Sequence, residues 1–169
     1  MKLITGIGGW PDEAGAQAVQ VFDSWVGYVS PRDYERSILP HSQRLIEAVS
    51  GKGVPVIHFA NNATAMLDLV ARAGGDVVGL DWRIDIDKAI AIIGDDVAVQ
   101  GNIDPISLYG PYETIEEKVV DILERVGTRP GHVFNLGHSI DKGTDPDHAR
   151  ALVRYVHEHS ERIRSGGAA

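Results

Sequence analysis

At 169 residues, 43% hydrophobic and 24% charged, the chain has the size and mix of one globular domain with a real core. Its net charge of -8, with basic residues scattered, excludes a nucleic-acid footprint, and an anionic ligand would need a local basic pocket. The absence of cysteine excludes disulfides, thiolate zinc sites and a cysteine nucleophile, and no apolar run approaches the ~20 residues of a membrane span.

The start, Met1 to Gly6, lacks the long apolar region of a signal peptide, so a cytoplasmic location is expected. Residues 3–7 form a short strand candidate and 18–24 a clearer one. Ser30 can cap a helix over 31–50, with Pro31 at its first position, Pro40 as a kink and Gly51 as its stop. A strand is expected over 55–60, a helix over 64–73, a strand over 77–81 and a short helix over 85–93. The run 97–102 reads as a strand. Thr114 followed three residues on by Glu117 reads as a capping box that opens a helix to Val126. The apolar run 132–136 reads as a buried strand that breaks into Gly137, His138 and a polar loop. Asp145 and Pro146 start a last helix, to about 163. Residues 165–169 are small and expected to be a disordered tail. One domain is expected over 1–164.

Strands alternating with helices, and too apolar to have one wet face, define an α/β protein with a parallel sheet. The strands end in polar groups: Asp23 and Ser24, Asn61 and Asn62, Asp81, Asn102 and Asp104, then His138. In a TIM (β/α)8 barrel the chemistry sits at the C-terminal strand ends. No Gly-x-Gly-x-x-Gly lies between a strand and a helix, which counts against a dinucleotide fold. A full barrel takes about 200 residues or more, so the expectation is a partial, half-like barrel of five to six strands. The His138 imidazole can donate or accept a proton near neutrality. It can equally tie down its loop through backbone.

Five stretches carry a family resemblance. They are 14–25 (Ala-Gly-Ala-Gln-Ala-Val-Gln-Val-Phe-Asp-Ser-Trp), Leu39-Pro40, and 78–82 (Val-Gly-Leu-Asp-Trp). The others are 100–105 (Gln-Gly-Asn-Ile-Asp-Pro) and 134–138 (Phe-Asn-Leu-Gly-His). In order and spacing the chain resembles the C-terminal half of uroporphyrinogen decarboxylase, a cofactor-free enzyme of haem and chlorophyll biosynthesis. The resemblance runs from about 14 to 163. It implies that Ser24 and His138 contact substrate carboxylates, and that no metal or cofactor takes part. Asp81 and Asp104 are expected to hold strand ends through backbone hydrogen bonds, and His58 to be a satisfied core histidine. His157 and His159 fall on different faces of the last helix and read as solvent groups.

The resemblance also shows what this sequence lacks. The family's Met-Arg-Gln-Ala-Gly-Arg-Tyr and Phe-Ser-Asp motifs, which grip carboxylates and pyrrole N–H groups, do not occur in it. The helix bearing an active-site tyrosine has no room between Trp10 and Ala14. A sister family, the corrinoid methyltransferases, builds a zinc site on His-x-Cys; the equivalent here is His58-Phe59-Ala60. Negligible decarboxylase activity is therefore expected of this chain by itself, with tetrapyrrole substrate bound only when the other half is supplied. The alternative is a non-catalytic half-barrel assembly module, natural or engineered. Open sheet edges and uncovered apolar residues lead in either case to an expected homodimer, the alternative being a three-layer monomer in which Met1 to Trp10 folds back over an edge and the sheet flattens.

Overall fold

The computed structural model describes residues 16–50 and 53–166. The expected strand at 3–7 and the last residues of the expected tail, 167–169, lie outside them. The chain divides after Gly79 into two compact units.

In the first unit β1 (Val19–Asp23), β2 (Val56–Ala60) and β3 (Val77–Gly79) pair in parallel. Phe22, Phe59 and Gly79 stand side by side, as do Val21, His58 and Val78. Side chains alternate across a strand, so these two rows lie on opposite faces. The Val21 row faces inward: His58, Val56 and Val78 are 0–1% exposed. On the other face Phe59 is buried, but Phe22 on β1 is 67% exposed, with its ring edge-on to Phe59 at 6.1 Å. Ile57 and Phe59 thus share one face, and Val19 and Val21 the other.

Ser30 caps as expected: its hydroxyl oxygen accepts from the Asp33 N–H at 3.2 Å, and Pro31 opens α1 (Pro31–Asp33). Instead of a kink at Pro40, the chain makes a π-helical turn over Tyr34–Ile38 before α2 (Leu39–Val49). The Leu39 N–H reaches back five residues to the Tyr34 carbonyl. Pro40 has no N–H, and its ring would crowd the carbonyl four residues earlier in an α-helix. The wider turn ahead of it relieves that conflict and leaves Pro40 in the first turn of α2. A 3-10 turn, Thr64–Met66, leads into α3 (Leu67–Arg72).

The second unit holds α4 (Ile86–Ile93), β4 (Ala98–Gln100), a 3-10 turn (Pro105–Tyr109), α5 (Tyr112–Val126), β5 (His132–Val133) and α6 (Pro146–Arg164). β4 and β5 pair in parallel, and a further bridge joins Ile103 to Leu136. Five strands therefore alternate with helices in a partial α/β fold. α5 buries Ile115, Val119, Ile122, Leu123 and Val126, one stripe at helical spacing, and packs against α6, which buries Ala151, Leu152 and Tyr155. Asp145 caps α6 by accepting from the Asp147 N–H at 2.8 Å, again as expected. Ser165 and Gly166 close that helix with hydrogen bonds to Glu161 and Ile163, so the expected tail does not begin at 165. Arg129 ties the approach to β4, donating to the carbonyls of Gly94, Asp95 and Val97.

Two expectations for this unit are corrected. The capping box does not form: α5 starts at Tyr112, and Thr114 already lies in its first turn, with its N–H on the Pro111 carbonyl at 3.1 Å. Pro111 supplies the extended residue ahead of the helix (φ -64°, ψ 162°), so Thr114 is helical rather than a cap. The stretch 132–136 is not a buried strand either. Only two residues form β5, Val133 is 48% exposed, and its named neighbour within the unit is β4 on one side. Its apolar run is that of an edge strand.

Candidate functional site

In the second unit the polar groups after the strands converge around one backbone segment, Asp81 to Arg83. The Asp81 side chain is 3% exposed. Its carboxylate accepts from the Arg83 backbone N–H at 2.8 Å and from the Arg83 guanidinium at 3.0 Å. Asn102, buried, donates its side-chain amide to the carbonyls of Asp81 at 2.9 Å and Ile84 at 2.7 Å. Asn102 thus reaches across to the Asp81–Ile84 segment, whereas Asp81 holds backbone in its own loop, as expected. Asp104 does so too, accepting from the Ile106 N–H at 2.9 Å. Gly101 adopts φ +147°, and a Cβ there would lie 2.9 Å from the Leu80 carbonyl oxygen, so glycine lets the two strand ends close on each other.

The loop after β5 approaches as closely. A Cβ on Gly137 would sit 2.6 Å from the Trp82 nitrogen and 3.1 Å from the Asp81 carbonyl carbon. The missing side chain is what brings His138 against Trp82, ring centroids 6.3 Å apart and nearly perpendicular. His138 is exposed, so a ligand can reach it. Farther along, the Tyr109 hydroxyl donates to Asp141 at 2.5 Å and the Gly143 N–H to the same carboxylate at 2.8 Å. This latch ties the His138 loop to the 3-10 turn after β4. The shared hydrogen bond holds the Asp141 carboxyl below its ordinary value and pushes the Tyr109 hydroxyl up. A cleft of about 160 Å3 lined by Trp82, Asn102, Asp104, Lys118 and Arg125 opens nearby. It is smaller than the ~300–1,000 Å3 usual for a drug-sized ligand.

In the first unit Ser24 is exposed in the turn after β1, and its carbonyl accepts from the Asn61 side chain at 3.4 Å. That turn is seated by Gly27, where a Cβ would meet the Asn61 and Asn62 carbonyl oxygens at 2.6 Å. Trp25 and Tyr28 stand on it 76% and 81% exposed, their rings 5.8 Å apart. Burial pushes the neighbouring Asp23 carboxyl up. Ser24 and His138 belong to different units, and each is placed by its own.

Two histidines differ from expectation. His58 is fully buried, as expected, but neither ring nitrogen has a partner at hydrogen-bond distance. Burial pushes its imidazole below the ordinary 6.5, with the Val70 carbonyl pulling less strongly the other way. The strand register that buries it is tertiary and offers the ring apolar neighbours. His159 is no solvent group: its side chain is 12% exposed and its Nε2 lies 2.8 Å from Glu116 on α5. The helix–helix packing covers it. Among the described residues no three His, Asp or Glu side chains are grouped to hold a metal ion.

Arg83 is the functional candidate that the sequence reading missed. Its guanidinium lies over the Trp82 ring at 4.1 Å, and its side chain is 39% exposed. Its one sequence signal is position, directly after the strand-ending Leu80-Asp81-Trp82.

Parallel strands alternating with helices define a partial α/β fold, a class in which chemistry sits at the C-terminal strand ends. The sequence pattern described as Uroporphyrinogen decarboxylase (URO-D) matches residues 12–159, and the chain belongs to that family. Uroporphyrinogen decarboxylase from Carboxydothermus hydrogenoformans is 59% identical over 145 residues, 86% of this chain and 41% of that protein. The Streptomyces coelicolor enzyme is 51% identical over 150 residues, 89% of this chain and 42% of that one. The chain thus spans about two fifths of the length of these curated relatives. A solved methyltransferase from Methanosarcina mazei shares the fold, with a TM-score of 0.76 at 21% identity, over 87% of this chain and 43% of that one.

Proposed function

We propose that this chain supplies the carboxylate-contacting strand ends of a porphyrinogen decarboxylase site. Ser24 and His138 donate hydrogen bonds to substrate acetate or propionate groups. The reaction read from the family is protonation of a pyrrole ring, loss of carbon dioxide and reprotonation of the released carbon. The protein's part is to fix the carboxylates and preorganise the field, without metal or prosthetic group. A polypeptide of these 169 residues carries negligible turnover by itself. Productive tetrapyrrole binding needs a segment bearing the family's arginine and aspartate motifs. A cytoplasmic setting belongs to the same reading. The observation that carries it is the exposed His138, set on Trp82 by the side-chain-free Gly137. Titration with uroporphyrin, the stable oxidised ligand, tests it. Weak binding near about millimolar is expected, and Ser24→Ala or His138→Gln weakens it about tenfold, the value of one hydrogen bond to a charged group. Equal affinity in all three proteins would contradict the assignment.

A second reading rests on the exposed Phe22, Trp25 and Tyr28 and on strands β1 and β5, each paired along one side within its unit. The chain self-associates as a homodimer through these apolar residues or strand edges, as an assembly module. Removing 400 Å2 of apolar surface from water yields about 10 kcal/mol before association costs. Sedimentation equilibrium at micromolar concentration is expected to show twice the 18.3 kDa chain mass. A single species at the chain mass ends this reading.

A further inference from the structure

A chain of net charge -8 repels a polycarboxylate unless a local cation faces it. Among the described arginines, only Arg83 lies within four residues after the C-terminal end of a strand, β3. It is also held in place. The buried Asp81 carboxylate takes the Arg83 backbone N–H and one guanidinium nitrogen, and the indole of Trp82 supports the guanidinium plane at 4.1 Å. A guanidinium has five N–H donors in a rigid fork. One nitrogen is committed to Asp81, and the side chain remains 39% exposed. The rest of the fork is therefore open to an incoming carboxylate, with little side-chain freedom left to lose. The same indole meets the exposed His138 ring. Trp82 is a shared platform that carries a fixed cation and an imidazole.

Resting on the reading of the site given above, we propose that Arg83 is a carboxylate-binding, specificity-determining residue, taking one acidic arm of a polycarboxylate ring while His138 takes another. A purely structural Arg83, serving only to neutralise the buried Asp81 carboxylate, would be indifferent to ligand charge. The recognised chemistry is a macrocycle bearing several carboxyalkyl arms. A ring with esterified arms offers no anion to the fork.

The test is an NMR titration of the full chain with uroporphyrin and, separately, with its octamethyl ester, following the Arg83 Nε–H resonance and the backbone amides. Wild type binds the acid and not the ester, and the Arg83 Nε–H signal shifts on binding. Arg83→Gln weakens binding of the acid at least about tenfold. Arg83→Lys keeps the charge but not the fork, and recovers only part of the loss. Its amide spectrum shows whether the loop is intact if the glutamine variant does not fold. Arg154→Gln, on α6 and already paired with Glu158, leaves affinity unchanged. If Arg83→Gln binds like wild type while His138→Gln is weakened, the Arg83 assignment falls and the site reading stands. An equal loss in Arg83→Gln and Arg154→Gln makes the effect one of net charge and overturns the assignment. If wild type binds neither probe at millimolar concentration, the site reading and this inference fall together.

Discussion

A polypeptide of these 169 residues is expected to decarboxylate uroporphyrinogen at least about four orders of magnitude more slowly than its 59%-identical relative from Carboxydothermus hydrogenoformans. The reasoning is electrostatic. A porphyrinogen with several carboxylates is held and activated by groups aimed at its charges, and losing one preorganised donor commonly costs about 10^2–10^3 in rate. The family's carboxylate-gripping arginines and pyrrole-binding aspartate lie in motifs that do not occur in this sequence. Two such losses alone reach the expected factor. An anaerobic assay that separates the porphyrins by chromatography measures it, and turnover within tenfold of the relative would show that the residues present suffice.

Gly137→Ala is expected to lower stability by about 2–3 kcal/mol, the upper range for overpacking, and to detach His138 from Trp82. The added carbon would lie 2.6 Å from the Trp82 nitrogen, closer than non-bonded atoms approach. Both neighbours are backbone, so no side chain can swing aside. Either the loop after β5 lifts, removing His138 from the indole, or the Asp81–Trp82 turn shifts and strains the Asn102 amide bonds to Asp81 and Ile84. Urea denaturation gives the stability change, and Trp82 fluorescence in a Trp10→Phe, Trp25→Phe background follows the contact. An unchanged midpoint with unchanged Trp82 emission would mean that the close approach is not a constraint.

The strand–helix alternation was legible because strands covered on both faces lose their polar alternation and stand out between glycines and prolines. β2, with the sequence Val-Ile-His-Phe-Ala, is the clearest case. Ser30 and Asp145 were legible as caps because a cap is made by a side chain and a backbone N–H two or three residues away. Where the outcome depends on distant partners, local reading failed. Pro40 announced a disturbance, but a π turn as its resolution does not follow from the proline alone. Thr114 and Glu117 had the spacing of a box, and Pro111 started the helix first. The run 132–136 has the composition of a buried strand, yet it pairs on one side. His58 and His159 show the same limit, since burial was predictable for the first and neither hydrogen-bonding outcome was. Of the proposed ligand contacts, Ser24 and His138 came from motif resemblance. Arg83 did not, because its role depends on the turn that lays it over Trp82.

The most direct test of the account is complementation in trans. The purified chain would be mixed with the segment of the Carboxydothermus hydrogenoformans enzyme that it does not match, the larger share of that protein. Coproporphyrinogen formation is then followed under anaerobic conditions. The account predicts turnover by the mixture that neither part shows alone, lowered about tenfold or more by His138→Gln in this chain. Absence of turnover from a mixture in which the two parts co-sediment as a folded complex would contradict it.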